Sequence, residues 1–250
     1  MICRTLLALL CLAPLSQAQS PLRTVAERSN YTETSQHADV LAFCSELAAQ
    51  RPDRVWYTDY GTSKLGQKLP LLVLGTGGKP ATPSELQKSG KLILFSFANI
   101  HAGEVDGKEA LLALARDLAA EWDQPKWANI VVLLAPDINP DGNDKMDKKN
   151  RTEQYGPPAV GTRENADGFD LNRDFVKLET PEIRAIAKLV NEWDPRIVVD
   201  CHTTNGSYHR YTLTYDGPRY PTAHPDLIAY TQDKLLPDAG KRVKAATGFD

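Results

Sequence analysis

The sequence has little cysteine and almost no net charge. Four cysteines in 250 residues cannot build the disulfide framework of a small secreted scaffold. Cys3 and Cys11 fall in the first twenty residues, which leaves Cys44 in a helical pattern and Cys201 in an apolar run. Two buried free thiols are the expected reading, and spacing alone does not say whether they meet. Lysine and arginine number 29 against 32 aspartates and glutamates, a formal charge of -3. That gives no basic footprint for nucleic acid and no strong acidic bias. Internal repeats, low-complexity tracts and convincing linkers are missing too, so one sizeable core is the expectation for a chain of this length.

Long hydrophobic runs are also lacking. The opening "MICRTLLALLCLAPLSQAQS" carries one cation, Arg4, an apolar stretch from Leu6 to Leu15, and small residues at Ser16 and Ala18. The stretch is too short to span a bilayer core, and it reads as a secretory signal peptide, residues 1–18, cut after Ala18. Leu10 stands before Cys11, where a lipoprotein signal would have a small residue. Cleavage would leave 28 basic against 32 acidic residues, a charge near -4. The expected location is secreted or periplasmic, with no stable membrane insertion after cleavage.

What the sequence does have is alternation. "HADVLAFCSELAAQ" places Val40, Leu41, Cys44, Leu47 and Ala48 at helical spacing. "RVWYTDYG" and "KLPLLVLGTGG", joined through "TSKLGQ", read as a hairpin. The strand "KLILFSFANI" precedes a helix from about Asp106 to Trp122 with Leu111, Leu112, Ala115 and Leu118 on one stripe. "NIVVLLAPDI" is the next strand. "TPEIRAIAKLVNEW" is a helix capped by Thr180 with Pro181 in its first turn, and "RIVVDCHTTNG" is a further buried strand. Apolar strands alternating with helices predict an α/β fold, a mixed, largely parallel central sheet flanked by helices.

In such sheets ligands bind beyond the carboxyl ends of the strands. His101 follows one core strand, "NPDG" (139–142) follows another, and His202 ends a third. In "HAGE", His101 and Glu104 sit three residues apart at a turn, and His202 comes 101 residues after His101. Two imidazoles and one carboxylate are a ligand set that zinc accepts, with a fourth position left for water as in catalytic sites. One Zn2+ ion held by His101, Glu104 and His202 is therefore the expectation. His37, His209 and His224 have no comparable setting and read as structural.

"HAGE", "NPDG", "RENADGFDLNRDF" (163–175) and "DCHTTNG", in this order, resemble the zinc carboxypeptidases, the M14 metallopeptidases, over roughly residues 55–215. The resemblance implies a hydrolase that cuts the last peptide bond of peptides or proteins. It implies His101, Glu104 and His202 as zinc ligands, and Asn172 with Arg173 as the grip on the substrate's terminal carboxylate. Arg163 then stabilises the oxyanion, and Asp170 orients the first histidine. Chemistry agrees with each role. A guanidinium matches a planar carboxylate and stays charged, a fixed cation favours growing negative charge, and zinc-bound histidines commonly donate their other N–H to a carboxylate. Arg151, in the polar loop "KKNRTEQYGPP", is the second candidate for the oxyanion.

The pattern breaks after His202. The resemblance implies a late glutamate as general base, and residues 203–250 contain none. Residues 19–250 thus read as the front part of a catalytic domain that stops early. Two readings stand beside it. One is an N-acyl amino acid deacylase resembling the aspartoacylase and succinylglutamate desuccinylase group; the other is a zinc-holding, catalytically impaired peptide-binding module.

Overall fold

The computed structural model describes residues 22–204, 206–218 and 223–249. The expected signal peptide lies outside the described residues. In chain order the elements are α1 (Val25–Arg28), α2 (His37–Gln50), β1 (Val55–Thr62), β2 (Lys68–Leu74), α3 (Pro83–Lys88), β3 (Leu92–Ala98), α4 (Val105–Glu121), β4 (Ile130–Ala135), α5 (Pro140–Asn143), α6 (Pro181–Trp193) and β5 (Ile197–Cys201). A second unit, beginning at Gly206, contains α7 (Pro225–Tyr230), a five-residue π turn over Thr231–Leu235, and α8 (Leu236–Thr247). No residue of those three helical segments is buried.

Five strands form one mixed sheet in the order β1-β2-β4-β3-β5. The β1/β2 hairpin and the β2/β4 pair are antiparallel, whereas β3 runs parallel to both β4 and β5. Period-two alternation splits the strand side chains between two apolar layers. Leu71 and Val73 of β2, Phe95 and Phe97 of β3 and Leu133 of β4 face one layer, closed by Ile183, Ile186, Leu189 and Trp193 of α6. Leu72, Leu74, Val132 and Leu134 face the other, closed by Val40, Phe43 and Leu47 of α2 and Leu111, Leu112 and Ala115 of α4. Each fully buried Val, Leu, Ile or Phe among them contributes about 1.5–3 kcal/mol through surface removed from water. Thr180 caps α6 by accepting from the Ile183 amide, and Asp194 ends it in a left-handed conformation.

The helices and strands fall where the apolar spacing predicts them, with one correction. "RIVVDC" reads as a buried strand, yet Ile197, Val198 and Val199 are 37, 46 and 47% exposed. β5 lies at the edge of the described sheet and pairs with β3 alone. A continuous apolar run marks a strand fit to be covered on both faces, and it carries no information on whether a cover is present. Cys44 is buried, Cys201 is partly buried, and both are free thiols. No helix among the described residues is long and apolar enough to cross a membrane.

Candidate metal centre

The three parallel strands β4, β3 and β5 bring their carboxyl ends to one edge of the sheet. Past β3 the chain turns sharply, because Asn99 adopts a left-handed backbone (φ 66°). The Glu104 amide then donates to the His101 carbonyl (2.8 Å) before α4 begins. This tight turn points both side chains of "HAGE" the same way. Gly107 lets α4 lie close against the strands, since a Cβ there would stand 2.5 Å from Cys201 Cβ. At the end of β5, Asp200 and His202 are two residues apart and share a side of the strand.

His101 Nδ1 lies 2.9 Å from Glu104 Oε1, and His202 Nδ1 lies 2.9 Å from Glu104 Oε2. Each imidazole presents its other nitrogen to an aspartate: His101 Nε2 to Asp170 Oδ1 at 3.0 Å, His202 Nε2 to Asp200 Oδ2 at 2.9 Å. A neutral histidine that donates Nε2–H to an aspartate has a bare lone pair on Nδ1. Here both Nδ1 lone pairs would face carboxylate oxygens, an arrangement that repels unless a proton or a cation lies between them. The candidate ligand atoms of His101, Glu104 and His202 lie within 4.8 Å of one another. Two imidazole nitrogens and one carboxylate oxygen suit zinc, so the donor set fits the ion.

Electrostatics point the same way. Burial raises the Glu104 carboxyl, but hydrogen bonds from His101, His202 and the Thr203 amide outweigh it and hold the group well below the usual carboxylate range. Asp200, and after it Glu104, pushes His202 up to about 9. Glu104 is thus held as a carboxylate beside two imidazoles, the negative charge that a cation site requires.

The segment 163–175 wraps this group. Asp170 Oδ2 accepts from Arg163 Nε (3.0 Å) and forms an ion pair with Nη2 (2.9 Å). For Asp170 burial again raises the pKa and is outweighed by Arg163 and His101, which lower it. Arg163 Nη1 is left 3.4 Å from His101 Nδ1 and 3.9 Å from Glu104 Oε1. Arg151 approaches from the other loop, with Nη2 donating to Glu104 Oε1 at 2.9 Å and a side chain only 7% exposed. Asn172 Nδ2 stands 3.4 Å from His202 Nε2, and the exposed Arg173 donates to the Asn172 carbonyl (3.0 Å). Asn139 of "NPDG" ties the segments together, its amide reaching both the Ile100 and Arg163 carbonyls. A shallow cleft lined by Gly103, Asp106, Arg151, Tyr155 and Thr203 adjoins the turn.

Sequence reasoning brings His101, Glu104, His202, Asp170 and Arg163 to the same place as the structure does. It missed Asp200, although its position two residues before a candidate ligand on a strand was a usable signal. It also missed the Thr203 amide, which donates to Glu104 Oε2 (3.0 Å) and carries no side-chain signal.

An α/β sheet with a His–Glu–His cluster at its carboxyl edge and two arginines turned toward it is the arrangement of a candidate metal site. The zinc carboxypeptidase profile matches residues 40–239, and the chain belongs to that family. It is 31% identical to carboxypeptidase 2 of Trichophyton equinum over 164 residues, which covers 64% of this chain and 27% of the relative. It is 30% identical to carboxypeptidase D of Rattus norvegicus over 164 residues, covering 56% of this chain and 12% of the relative. The chain thus spans about a quarter or less of the length of these curated relatives. Among solved structures, a metallo-carboxypeptidase from Burkholderia cenocepacia superposes with a TM-score of 0.54 at 21% identity, over 71% of this chain and 43% of that one. Carboxypeptidase A from Helicoverpa armigera gives 0.54 at 20% identity, over 70% and 47%. Those two likenesses concern the fold.

Proposed function

We propose that the protein is an exported zinc-dependent metallocarboxypeptidase, acting on the free C-termini of peptides or proteins. The observation that carries this reading is the convergence of both histidine Nδ1 atoms on the two oxygens of Glu104, with Arg163 alongside. Zinc bound there would supply a Lewis acid that polarises the scissile carbonyl and lowers the pKa of a water toward neutrality.

The remaining roles belong to the chain. Arg163 is held by Asp170 through Nε and Nη2, which leaves Nη1 to meet the negative charge that grows on the carbonyl oxygen. One such donor lowers the barrier by about 3 kcal/mol. Arg151 is the weaker candidate, since its Nη2 already serves Glu104. Arg173, exposed beside Asn172, is the anchor for the terminal carboxylate. Asp170 and Asp200 each hold a histidine Nε2, so neither is offered as the proton acceptor. The late glutamate implied by the resemblance has no counterpart in residues 203–250. The intact mass of the protein from its natural source tests whether one follows Asp250, and N-terminal sequencing tests cleavage after Ala18.

A substrate panel tests the function itself. Peptides with a free C-terminus should be shortened by one residue, and amidated ones should not. Cleavage of N-acyl amino acids alone would assign the protein to the deacylases. Binding of peptides without turnover would make it the impaired module. Arg173→Ala should erase most of the preference for free over amidated C-termini; an unchanged preference removes Arg173 from the anchor role.

A further inference from the structure

A knot of buried polar side chains brackets the His101–Glu104 turn, and its described hydrogen bonds do not involve the side chains of His101, Glu104 or His202. Asn99, two residues before His101, donates from Nδ2 to Asp137 Oδ1 (2.7 Å) and Asn143 Oδ1 (3.1 Å). Lys108, four residues after Glu104, donates from Nζ to Asn143 Oδ1 and to the Ser35 carbonyl, each at 2.5 Å. Asp137 Oδ2 meets His37 Nδ1 (3.0 Å), and Asn143 Nδ2 reaches the Ser35 carbonyl (3.2 Å). Asn99, Lys108, Asp137 and Asn143 are 0% exposed and His37 is 2% exposed.

We propose that Lys108 and Asn99 are positioning residues, which set the His101–Glu104 turn to the spacing the metal requires. The inference rests on the metal-site reading above. The turn is strung between two fixed points. At one end Asn99 holds the left-handed backbone (φ 66°) that redirects the chain after β3, and its side chain is clamped from two sides. At the other end Lys108 fixes the first turns of α4, whose first residue follows Glu104. Both points share one acceptor, Asn143 Oδ1, so the separation of the two ends is set by a single atom. Stability alone is a poor reason for this arrangement. The amine is fully buried and its described hydrogen bonds go to a carbonyl and an amide; the nearby carboxylates of Asp137, Glu109 and Asp144 offset only part of the cost of taking it out of water, so burial still lowers its pKa.

The test compares Lys108→Met and Asn99→Gly with the full wild-type chain, and His101→Ala serves as the no-ligand control. Glycine keeps the left-handed backbone accessible while removing the clamp. Zinc affinity is read by chelator competition, the geometry of the site from the visible absorption of the Co2+ form, and folding from the melting temperature of the metal-free protein. The expected result is a 10–100-fold loss of zinc affinity in both variants and an altered Co2+ spectrum, with metal-free Lys108→Met melting no lower than wild type. Zinc affinities within twofold of wild type in both variants overturn the inference. So does an affinity loss that appears only together with a lower metal-free melting temperature in both, which would make the knot a stability element. A wild type that binds zinc no better than His101→Ala fails the metal-site reading as well, and that result is distinct from tight binding in every chain but the control.

Discussion

His101 and His202 both offer Nδ1 to Glu104 and Nε2 to an aspartate, but the chain builds the two halves from different lengths of sequence. On the His101 side the aspartate, Asp170, comes from 69 residues away and also carries Arg163. On the His202 side Asp200 is two residues back on the same strand. The first histidine is nearly enclosed, its side chain 4% exposed, and the second is 33% exposed. One half therefore depends on tertiary assembly and couples His101, the proposed metal ligand, to Arg163, the proposed oxyanion cation, through Asp170. The other is a local strand feature that works in a wetter setting, where electrostatic contacts are weaker.

Removing the ligands themselves erases this contrast. His101→Ala and His202→Ala should both abolish stoichiometric zinc binding, as measured by metal content after dialysis. Full occupancy in either variant would break the ligand set. Removing the aspartates should restore the contrast. Asp170→Asn and Asp200→Asn should each weaken zinc by about 10–100-fold, with Asp170→Asn the more severe. Asp170→Asn should also lower kcat by a further factor of about 100–1,000, because Arg163 loses its anchor. Equal effects of the two variants on kcat would mean that Asp170 does no more than orient a histidine.

The same contrast decided what the sequence made legible. His101 and Glu104 lie in one turn, and His202 follows a strand, so the strand-end rule finds all three. Asp170 and Arg163 came from a resemblance and not from spacing, since nothing local ties residue 170 to residue 101. Asp200 is legible by strand alternation, yet inside "RIVVDC" it reads as part of a buried strand. Lys108 was not legible at all. On a helix a lysine reads as a solvated face, and only packing against Ser35 and Asn143 shows it to be inside. The exposure of β5 was hidden for a related reason. Side-chain type records what a strand tolerates, whereas its neighbours record what covers it.

The smallest expected effect separates the halves through pH. Glu182 of α6 is fully buried. It accepts from the Lys64 amide (2.9 Å) and stands 3.5 Å from Asn165 Nδ2. Asn165 Oδ1 in turn accepts from the Asp167 and Phe169 amides, both at 3.0 Å, and so shapes the loop that delivers Asp170. Burial raises the Glu182 carboxyl, and nearby Asp141 adds to the rise. A carboxyl whose pKa is higher in the folded than in the unfolded chain favours folding while it is protonated. That contribution is complete at acid pH, below the unfolded pKa, and is lost as pH rises through the folded pKa. Glutamine has no such proton to lose. Glu182→Gln should therefore melt higher than wild type at pH 7, by about 2–4 °C for each kcal/mol of relief in a domain of this size, and the difference should shrink toward zero at pH 4. Hydrogen exchange places the effect: protection at the Asp167 and Phe169 amides should change with pH in wild type and not in the variant, while the β5 amides 197–201 stay alike in both. A pH-dependent difference that reached β5 equally would mean that the two halves of the site are one cooperative unit.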